Sequence, residues 1–232
     1  MAHYNLIYTF DILSHMTRFK SIHFDMDGVL ADTEPFHVAA EQQTCKDFNF
    51  NIDTKQWDSF KGQTANAIFS HLLKNYGNPK KQTVAELINH KTNLFLDMAR
   101  DQIKPINGAL DFLQWARNNH EKITLVTSSN RQIQECIINS FGVAHLFDNI
   151  VTGDDIINGK PNPEPYLRSL KESCSQADSA LVIEDSKSGI MSALASKCAV
   201  LAIATSYSSE ELIDSEPTFI AIDFKDAKLQ LE

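Results

Sequence analysis

Cysteine and long apolar runs are both scarce in this 232-residue sequence. Its four cysteines form no Cys-x-x-Cys pair and show no metal-ligand spacing, so we interpret them as reduced, mostly buried thiols of a cytoplasmic protein. A catalytic cysteine is not favoured. No stretch of about 18 or more apolar residues occurs, which argues against a membrane-spanning helix.

Basic residues are also in the minority, because 21 Lys and Arg face 30 Asp and Glu, for a formal net charge of −9 and a pI near 5.3. Nonspecific binding to nucleic acid or to an acidic membrane needs a basic surface and is therefore excluded as a function class. A hydrophobic content of 43% is ample for a buried core. Internal repeats and low-complexity segments are absent from the sequence.

Residues 1–15 lack the basic start of a signal peptide, and Asp11 interrupts their apolar stretch. We interpret them as an N-terminal extension before a natural start at Met16. An upstream start assignment and a cloning remnant are the alternatives.

A strand-like run at 21–24 ends abruptly in Asp25-Met26-Asp27-Gly28. Chemistry in open α/β sheets collects where strands end, so Asp25 and Asp27 are expected side by side at a sheet rim. Such carboxylates repel by about 4 kcal/mol at roughly 4 Å and an effective dielectric constant near 20, which predicts a cation between them. Asp25 is the candidate nucleophile toward phosphorus, and Asp27 is the candidate acid for the leaving alcohol. The alternative for Asp27 is an Asx-turn that merely caps the loop.

Three later segments favour the catalytic interpretation. A second strand run ends in Thr127-Ser128-Ser129, whose hydroxyls can donate to a phosphoryl oxygen or cap the following helix. Lys160 precedes a proline-rich helix start and can neutralise a nucleophile and a phosphoryl group, although a single lysine is more often solvated.

A third strand run ends in Glu184-Asp185, and two acids after a buried strand call for a cation. Mg²⁺ takes oxygen ligands and needs one or two carboxylates. We predict Asp185 as a direct ligand together with the Asp25 side chain and the Asp27 carbonyl, and Glu184 as an outer partner. The reverse assignment of Glu184 and Asp185 stays open.

These four segments resemble the haloacid dehalogenase superfamily, in the branch of β-phosphoglucomutases and small-metabolite phosphatases. The resemblance is carried by residues 24–35, 127–129, 159–161 and 184–189, and it extends from Arg18 to about Asp223. It implies a Rossmann-like core, a helical cap inserted after the first motif, Mg²⁺ as cofactor and an aspartyl-phosphate intermediate. By this resemblance Asp25 is the nucleophile, Asp27 the acid and base, Thr127 and Lys160 hold the phosphoryl group, and Asp185 binds metal. Dehalogenases of the superfamily lack the second aspartate, so Asp27 argues for phosphate chemistry.

The rest of the sequence predicts an α/β fold with a doubly wound parallel sheet and an inserted α-helical cap. Apolar residues recur at helical spacing over 36–48, 65–76 and 84–99. Helices at 109–119, 130–141, 163–173 and 187–196 then alternate with strands at 122–127, 149–152, 180–184 and 198–203. We therefore assign 16–33 and 105–232 to the core and 34–104 to the cap.

Two cap residues are candidates for substrate binding. Lys61 lies beside a glycine that breaks the helical pattern, in a loop able to reach the cleft or in an ordinary turn. His37 aligns with a histidine that mutases of this branch use near the acid-base aspartate, although a lone helical histidine is more often structural.

The predicted function is Mg²⁺-dependent hydrolysis of a small phosphate monoester, such as a sugar phosphate, by a monomer or weak homo-oligomer. A β-phosphoglucomutase-type mutase is the alternative, and a noncatalytic phosphate-binding relative is a minor one. A mutase needs a firm grip on a second phosphate. Family mutases use basic residues where this chain has Ala65 and Asn130. Arg131, displaced by one position, or Lys61 is a candidate substitute.

Overall fold

The computed structural model describes residues 19–53, 57, 60, 63–100 and 102–232. In this part of the chain, six strands form one parallel sheet in the order β3-β2-β1-β4-β5-β6. The strands are β1 (Ser21–Phe24), β2 (Lys122–Val126), β3 (Asn149–Val151), β4 (Ala180–Glu184), β5 (Ala199–Ile203) and β6 (Phe219–Ala221).

The helices of the described residues are α1 (Glu34–Asp47), α2 (Ala65–Asn75), α3 (Val84–Ala99), α4 (Ala109–Asn119), α5 (Arg131–Ser140), α6 (Glu164–Ser173), α7 (Lys187–Ala195), α8 (Ser209–Ile213) and α9 (Phe224–Leu231). Short 3₁₀ turns lie at Ala144–Leu146, Gly153–Asp155 and Ala177–Ser179.

Helices cover both faces of the sheet. One hydrophobic cluster joins the sheet to α4, α5 and α9, through residues such as Leu113, Ile137 and Ala227. The other joins it to α6, α7 and the single buried leucine of α8, through residues such as Tyr166 and Ile190. The fold is therefore a Rossmann-like, doubly wound α/β core, as the sequence predicts.

Helices α1 to α3 form the inserted cap, and the described residues between β1 and α4 contain no strand. Thr64 and Thr83 cap α2 and α3, the latter in a reciprocal capping box with Glu86. A separate apolar cluster that includes Phe69, Leu72 and Leu87 holds the cap helices together. The cap thus has its own small core.

The two chain crossings between core and cap run side by side. The Asp32 amide donates to the Lys104 carbonyl at 2.9 Å, and the Ile106 amide donates to the Leu30 carbonyl at 3.0 Å. These contacts lie next to the predicted boundaries at 33/34 and 104/105, which remain a prediction.

The predicted core strands and helices all exist, with ends that differ by at most one residue. Helices α8 and α9 and strand β6 extend the alternation beyond the last predicted strand. In the part of the chain that the structure describes, no helix is both long and apolar enough to cross a membrane.

Candidate active site

The candidate site lies where three neighbouring strands end. Strand β1 pairs with β2 on one side and with β4 on the other, with Phe24 beside Leu125 and Ile183. The Asp25 amide continues the ladder by donating to the Ile183 carbonyl at 3.0 Å. Parallel pairing in this register therefore brings the residues that follow each strand to one edge of the sheet.

Lys160 is buried between two carboxylates at this edge. Its Nζ donates to Asp25 Oδ1 at 2.8 Å and to Glu184 Oε1 at 2.6 Å. Asp25, Glu184 and Asp185 each place a carboxylate oxygen within 4.8 Å of the others, so the three form one acidic cluster. One ammonium cannot neutralise three buried carboxylates.

Glu184 is the most fully bonded member of the acidic cluster. Besides Lys160, its Oε1 accepts the Tyr166 hydroxyl at 2.7 Å, and its Oε2 accepts the backbone amides of Asp185 and Ser186. The side chain folds over the start of α7, where a Cβ at position 189 would lie 1.8 Å from Oε1. These contacts suit a residue that positions Lys160. Glu184 as a metal ligand, direct or through water, remains a prediction.

Asp185, by contrast, has an unsatisfied oxygen. No donor among the described residues lies within hydrogen-bond distance of its buried Oδ1. Buried polar atoms rarely lack a partner, and an absent ion is one of the standard reasons. The residues present therefore fit a divalent cation at the Asp185 side of the acidic cluster.

Gly28 makes room for this arrangement. Its φ of +81° lies in the left-handed region that favours glycine, and a Cβ there would lie 2.0 Å from Asp185 Oδ2. The turn after β1 and the loop after β4 therefore approach closely because residue 28 has no side chain.

The pKa values of the acidic cluster reflect its uncompensated charge. Burial, together with the neighbouring carboxylate of Glu184, raises the pKa of Asp25 to about 8, although Lys160 opposes the shift. Burial, Glu184 and Asp25 raise the pKa of Asp185 well above its ordinary value. Lys160 itself keeps its proton, because its carboxylate partners raise its pKa despite burial. A divalent cation would restore the ionised form of the two aspartates.

Asp27 has the opposite environment, with four donors. Oδ1 accepts the Thr33 hydroxyl at 2.6 Å and His37 Nε2 at 3.0 Å, while Oδ2 accepts the hydroxyls of Thr127 at 3.0 Å and Ser129 at 2.9 Å. Burial alone would raise the pKa of Asp27, but His37 and the hydroxyls lower it below its usual range. Two carboxylates on one turn thus have pKa values shifted in opposite directions. Without a cation these shifts favour a protonated Asp25 and an ionised Asp27, so a nucleophilic Asp25 would depend on a cation that restores its carboxylate.

A buried chain of side chains from the cap continues behind Asp27. Lys91 Nζ lies 2.7 Å from His37 Nδ1 and 3.8 Å from Glu41 Oε1. An ammonium has only donors, so Nδ1 must accept, and the ring proton lies on Nε2, which donates to Asp27. The His37 ring also stacks on Phe95 with centroids 4.4 Å apart. His37 is thus held in one orientation against Asp27.

The site also contains Lys91, Glu41 and Tyr166, which were not predicted from the sequence. A signal exists for Lys91, because it lies at i+4 from Leu87 and at i−4 from Phe95, on the apolar stripe of α3. Glu41 likewise lies between His37 and Cys45 on one stripe of α1. A charged residue on the apolar face of a helix is a candidate for a buried ion pair.

The structure does not bring every predicted site residue to this cleft. Thr127 contacts Asp27, and Ser128 lines the cleft. Arg131 instead donates to Asp155 at 2.6 Å, in the loop after β3, and it does not line the cleft, so the structure does not place it where it could bind a second phosphate. Lys61 lies outside the described residues.

Comparisons with known proteins agree with this geometry. The family model described as haloacid dehalogenase-like hydrolase matches residues 22–203. The chain is 25% identical over 199 residues to a validoxylamine A 7'-phosphate phosphatase of Streptomyces hygroscopicus subsp. limoneus, covering 85% of this chain and 92% of the relative. It is 25% identical over 178 residues to the fructose-1-phosphate phosphatase YqaB of Escherichia coli, covering 77% and 93%.

A solved structure with the same fold is described as a putative beta-phosphoglucomutase from Bacteroides vulgatus. It superposes with a TM-score of 0.79 at 23% identity, over 98% of this chain and 97% of that one. The family model covers more than half of the chain and includes Asp25, Asp27, Lys160 and Asp185. This protein therefore belongs to the haloacid dehalogenase-like hydrolases.

Proposed function

We propose that this protein is a Mg²⁺-dependent phosphatase that hydrolyses a small phosphate monoester, such as a sugar phosphate, through an aspartyl-phosphate on Asp25. The observation that carries the proposal is the meeting of Asp25, Asp27, Lys160 and Asp185, from three distant segments, in one buried cleft. The phosphatases among its relatives support the same class of reaction.

Asp25 and Asp185 would hold the Mg²⁺ ion with the Asp27 carbonyl. When bound, the ion supplies charge neutralisation for the acidic cluster and for the phosphoryl oxygens. The orphaned Asp185 Oδ1 supports this assignment.

In the first step Asp25 attacks phosphorus through Oδ2, the oxygen that Lys160 does not engage. The bond from phosphorus to the ester oxygen breaks, and the carboxylic acid form of Asp27 gives its proton to the departing alcohol. The hydrogen bonds around Asp27 lower its pKa and disfavour this acid form, so Asp27 must take up a proton before this step. Lys160 keeps its positive charge beside the developing negative charge. The products of this step are the free alcohol, the acyl phosphate on Asp25 and the carboxylate of Asp27.

In the second step the Asp27 carboxylate accepts a proton from water, and the water oxygen attacks phosphorus. The bond to Asp25 breaks, phosphate leaves, and Asp27 again carries its proton. The four donors around Asp27 stabilise the carboxylate form that this step needs. His37 and Thr33 belong to the cap and its crossing, so an approach of the cap completes this donor set.

Phosphosugar mutase activity is the alternative, supported by the contact of His37 with Asp27 that the resemblance to mutases implies. Hydrolysis is favoured because the cleft presents Ala65 and Asn130 at the two positions where family mutases have basic residues. Asn130 is also engaged, since its amide donates to Thr92 at 2.6 Å.

The test is phosphate release from a broad panel of phosphorylated metabolites with Mg²⁺. Free phosphate in equal amount to the alcohol is the expected result. For the alternative, β-glucose 1-phosphate is supplied with a trace of the bisphosphate. Accumulation of glucose 6-phosphate without free phosphate would overturn the phosphatase proposal in favour of a mutase.

A further inference from the structure

The cap side of the cleft has an acidic lining. Helix α1 contributes Glu34 and Glu41, and helix α3 contributes Lys91. Of the Lys and Arg residues that the structure describes, Lys91 and Lys160 line the cleft. Lys160 is engaged by the acidic cluster at the sheet edge, so Lys91 is the cation that a second anionic group of the substrate would meet on the cap side.

The positive charge of Lys91 is already balanced by neighbouring side chains. It is 4% exposed, its Nζ is bonded to His37 Nδ1 at 2.7 Å, and Glu41 Oε1 lies 3.8 Å away. A phosphate or carboxylate that approaches Lys91 would also approach the carboxylate of Glu41, which would repel the incoming anion. The cap side therefore offers no uncompensated positive charge among the described residues.

The same groups suit hydroxyls. A carboxylate accepts hydrogen bonds from hydroxyl donors, and a protonated carboxyl both donates and accepts. Burial raises the pKa of Glu41 to about 7, although Lys91 opposes the shift. Trp57 and Phe60, whose ring centroids are 5.7 Å apart, add apolar lining beside these polar groups. Carboxylate and aromatic groups together match a polyhydroxylated carbon skeleton.

We propose that the cleft selects phosphate monoesters whose alcohol half is an uncharged polyol, that it rejects a second phosphate or a carboxylate, and that Glu41, held beside Lys91, determines this selectivity. The inference rests on the proposed phosphatase function and narrows its substrate class. It concerns binding of the alcohol half, so it can be tested separately from turnover.

The experiment compares matched pairs that differ by one anionic group, using the full chain with Mg²⁺. Glucitol 6-phosphate is compared with 6-phosphogluconate, and fructose 1-phosphate with fructose 1,6-bisphosphate. The expected kcat/KM is at least about tenfold higher for the member with the uncharged alcohol half in each pair, in line with the discrimination that one mismatched polar contact gives. Equal or faster turnover of the members with two anionic groups would overturn the inference, and this measurement does not depend on any variant folding.

The assignment to Glu41 is tested with Glu41→Gln, and Glu135→Gln, which changes an exposed glutamate on α5, is the matched control. Glu41→Gln should reduce the preference about tenfold, mainly through KM, while Glu135→Gln keeps the native ratio. An unchanged ratio in folded Glu41→Gln would refute the role of Glu41.

A binding measurement separates the two proposals. The Asp25→Asn variant is titrated with each pair by calorimetry. If the native enzyme turns over no ester but the variant binds the uncharged members more tightly, the phosphatase proposal fails and the selectivity stands. If turnover occurs without any preference in kcat/KM or binding, the phosphatase proposal stands and the selectivity fails.

Discussion

Two buried charged clusters face each other across the cleft, and they are balanced differently. At the sheet edge, the three carboxylates of the acidic cluster share one ammonium, Lys160. On the cap side, Glu41 and Lys91 form a pair of opposite charge with a His37 ring that burial and Lys91 keep neutral by lowering its pKa. The proposed Mg²⁺ would balance the charge of the first cluster, whereas the side chains of the second cluster balance each other.

Removing the proposed nucleophile tests the sheet-edge cluster most severely. Asp25→Asn should lower phosphate release at least about 100-fold, because an amide cannot form the acyl phosphate. Asp178→Asn, at an exposed position in a 3₁₀ turn, is the matched control and should keep native turnover. More than about one hundredth of the native rate in Asp25→Asn would contradict covalent catalysis by this residue.

Removing the metal tests whether the sheet-edge cluster needs a cation. A chelator should silence turnover, and added Mg²⁺ should restore it. Mg²⁺ should also raise the melting temperature of the native protein, since it binds the folded state, but raise it less in Asp185→Asn. Activity that persists in chelator would show that Lys160 alone suffices.

Breaking the pair of Glu41 and Lys91 tests whether these two side chains balance each other's charge in the folded protein. Lys91→Met leaves Glu41 buried without its partner, which should lower the free energy of unfolding by about 3–5 kcal/mol in urea titrations. The double variant Glu41→Gln/Lys91→Met should recover most of that loss. A single variant as stable as the native protein would mean that Glu41 relaxes into solvent and that the pair has no structural role.

A smaller effect is expected at His23, a buried histidine on β1 that has no charged partner among the described residues. It bonds Ser21 and Ser169, and burial lowers its pKa from 6.5 to about 4. The unfolded chain therefore binds more protons between these values. The stability contributed by neutral His23 is complete above about pH 6.5 and is lost as pH falls toward 4, by up to about 3 kcal/mol.

The measurement is the free energy of unfolding of the native protein and of His23→Gln across this pH range. Their difference should change with pH in the stated direction, because glutamine keeps hydrogen bonding and does not titrate. Parallel stability curves would show that protonation of His23 does not destabilise the protein. Any loss of stability in acid would then come from carboxylates.

Local sequence pattern predicted the fold and the sheet-edge cluster well, because each strand run stops at the residue that carries chemistry. Asp25, Thr127 and Glu184-Asp185 each follow or end a strand, and parallel pairing of these strands brings the residues to one edge of the sheet. Lys160 was predicted from its loop and occupies the expected place. The family membership and the α/β architecture are confirmed by the comparisons and the sheet topology.

The cap-side pair was harder to predict, because it joins residues of two helices that meet through tertiary packing. Lys91 and His37 are 54 positions apart, and a single lysine on an amphipathic helix is usually solvated. Arg131 shows a different difficulty. Asn130 is the N-cap of α5, and the next residue points in another direction because successive helical positions differ by about 100°. A displacement of one position therefore does not preserve a contact.

Gly28 links the first and the last motif more tightly than their separation in sequence suggests. An added methyl group at this position would overlap the carboxylate of residue 185. The two motifs are therefore not free to diverge independently. A bulkier residue at 28 would be strained at a φ of +81° and would overlap both the carboxylate of residue 185 and Ser206 Oγ, and a shorter residue at 185 would lose the carboxylate. Related sequences that retain the acid at 185 should accordingly retain glycine at 28.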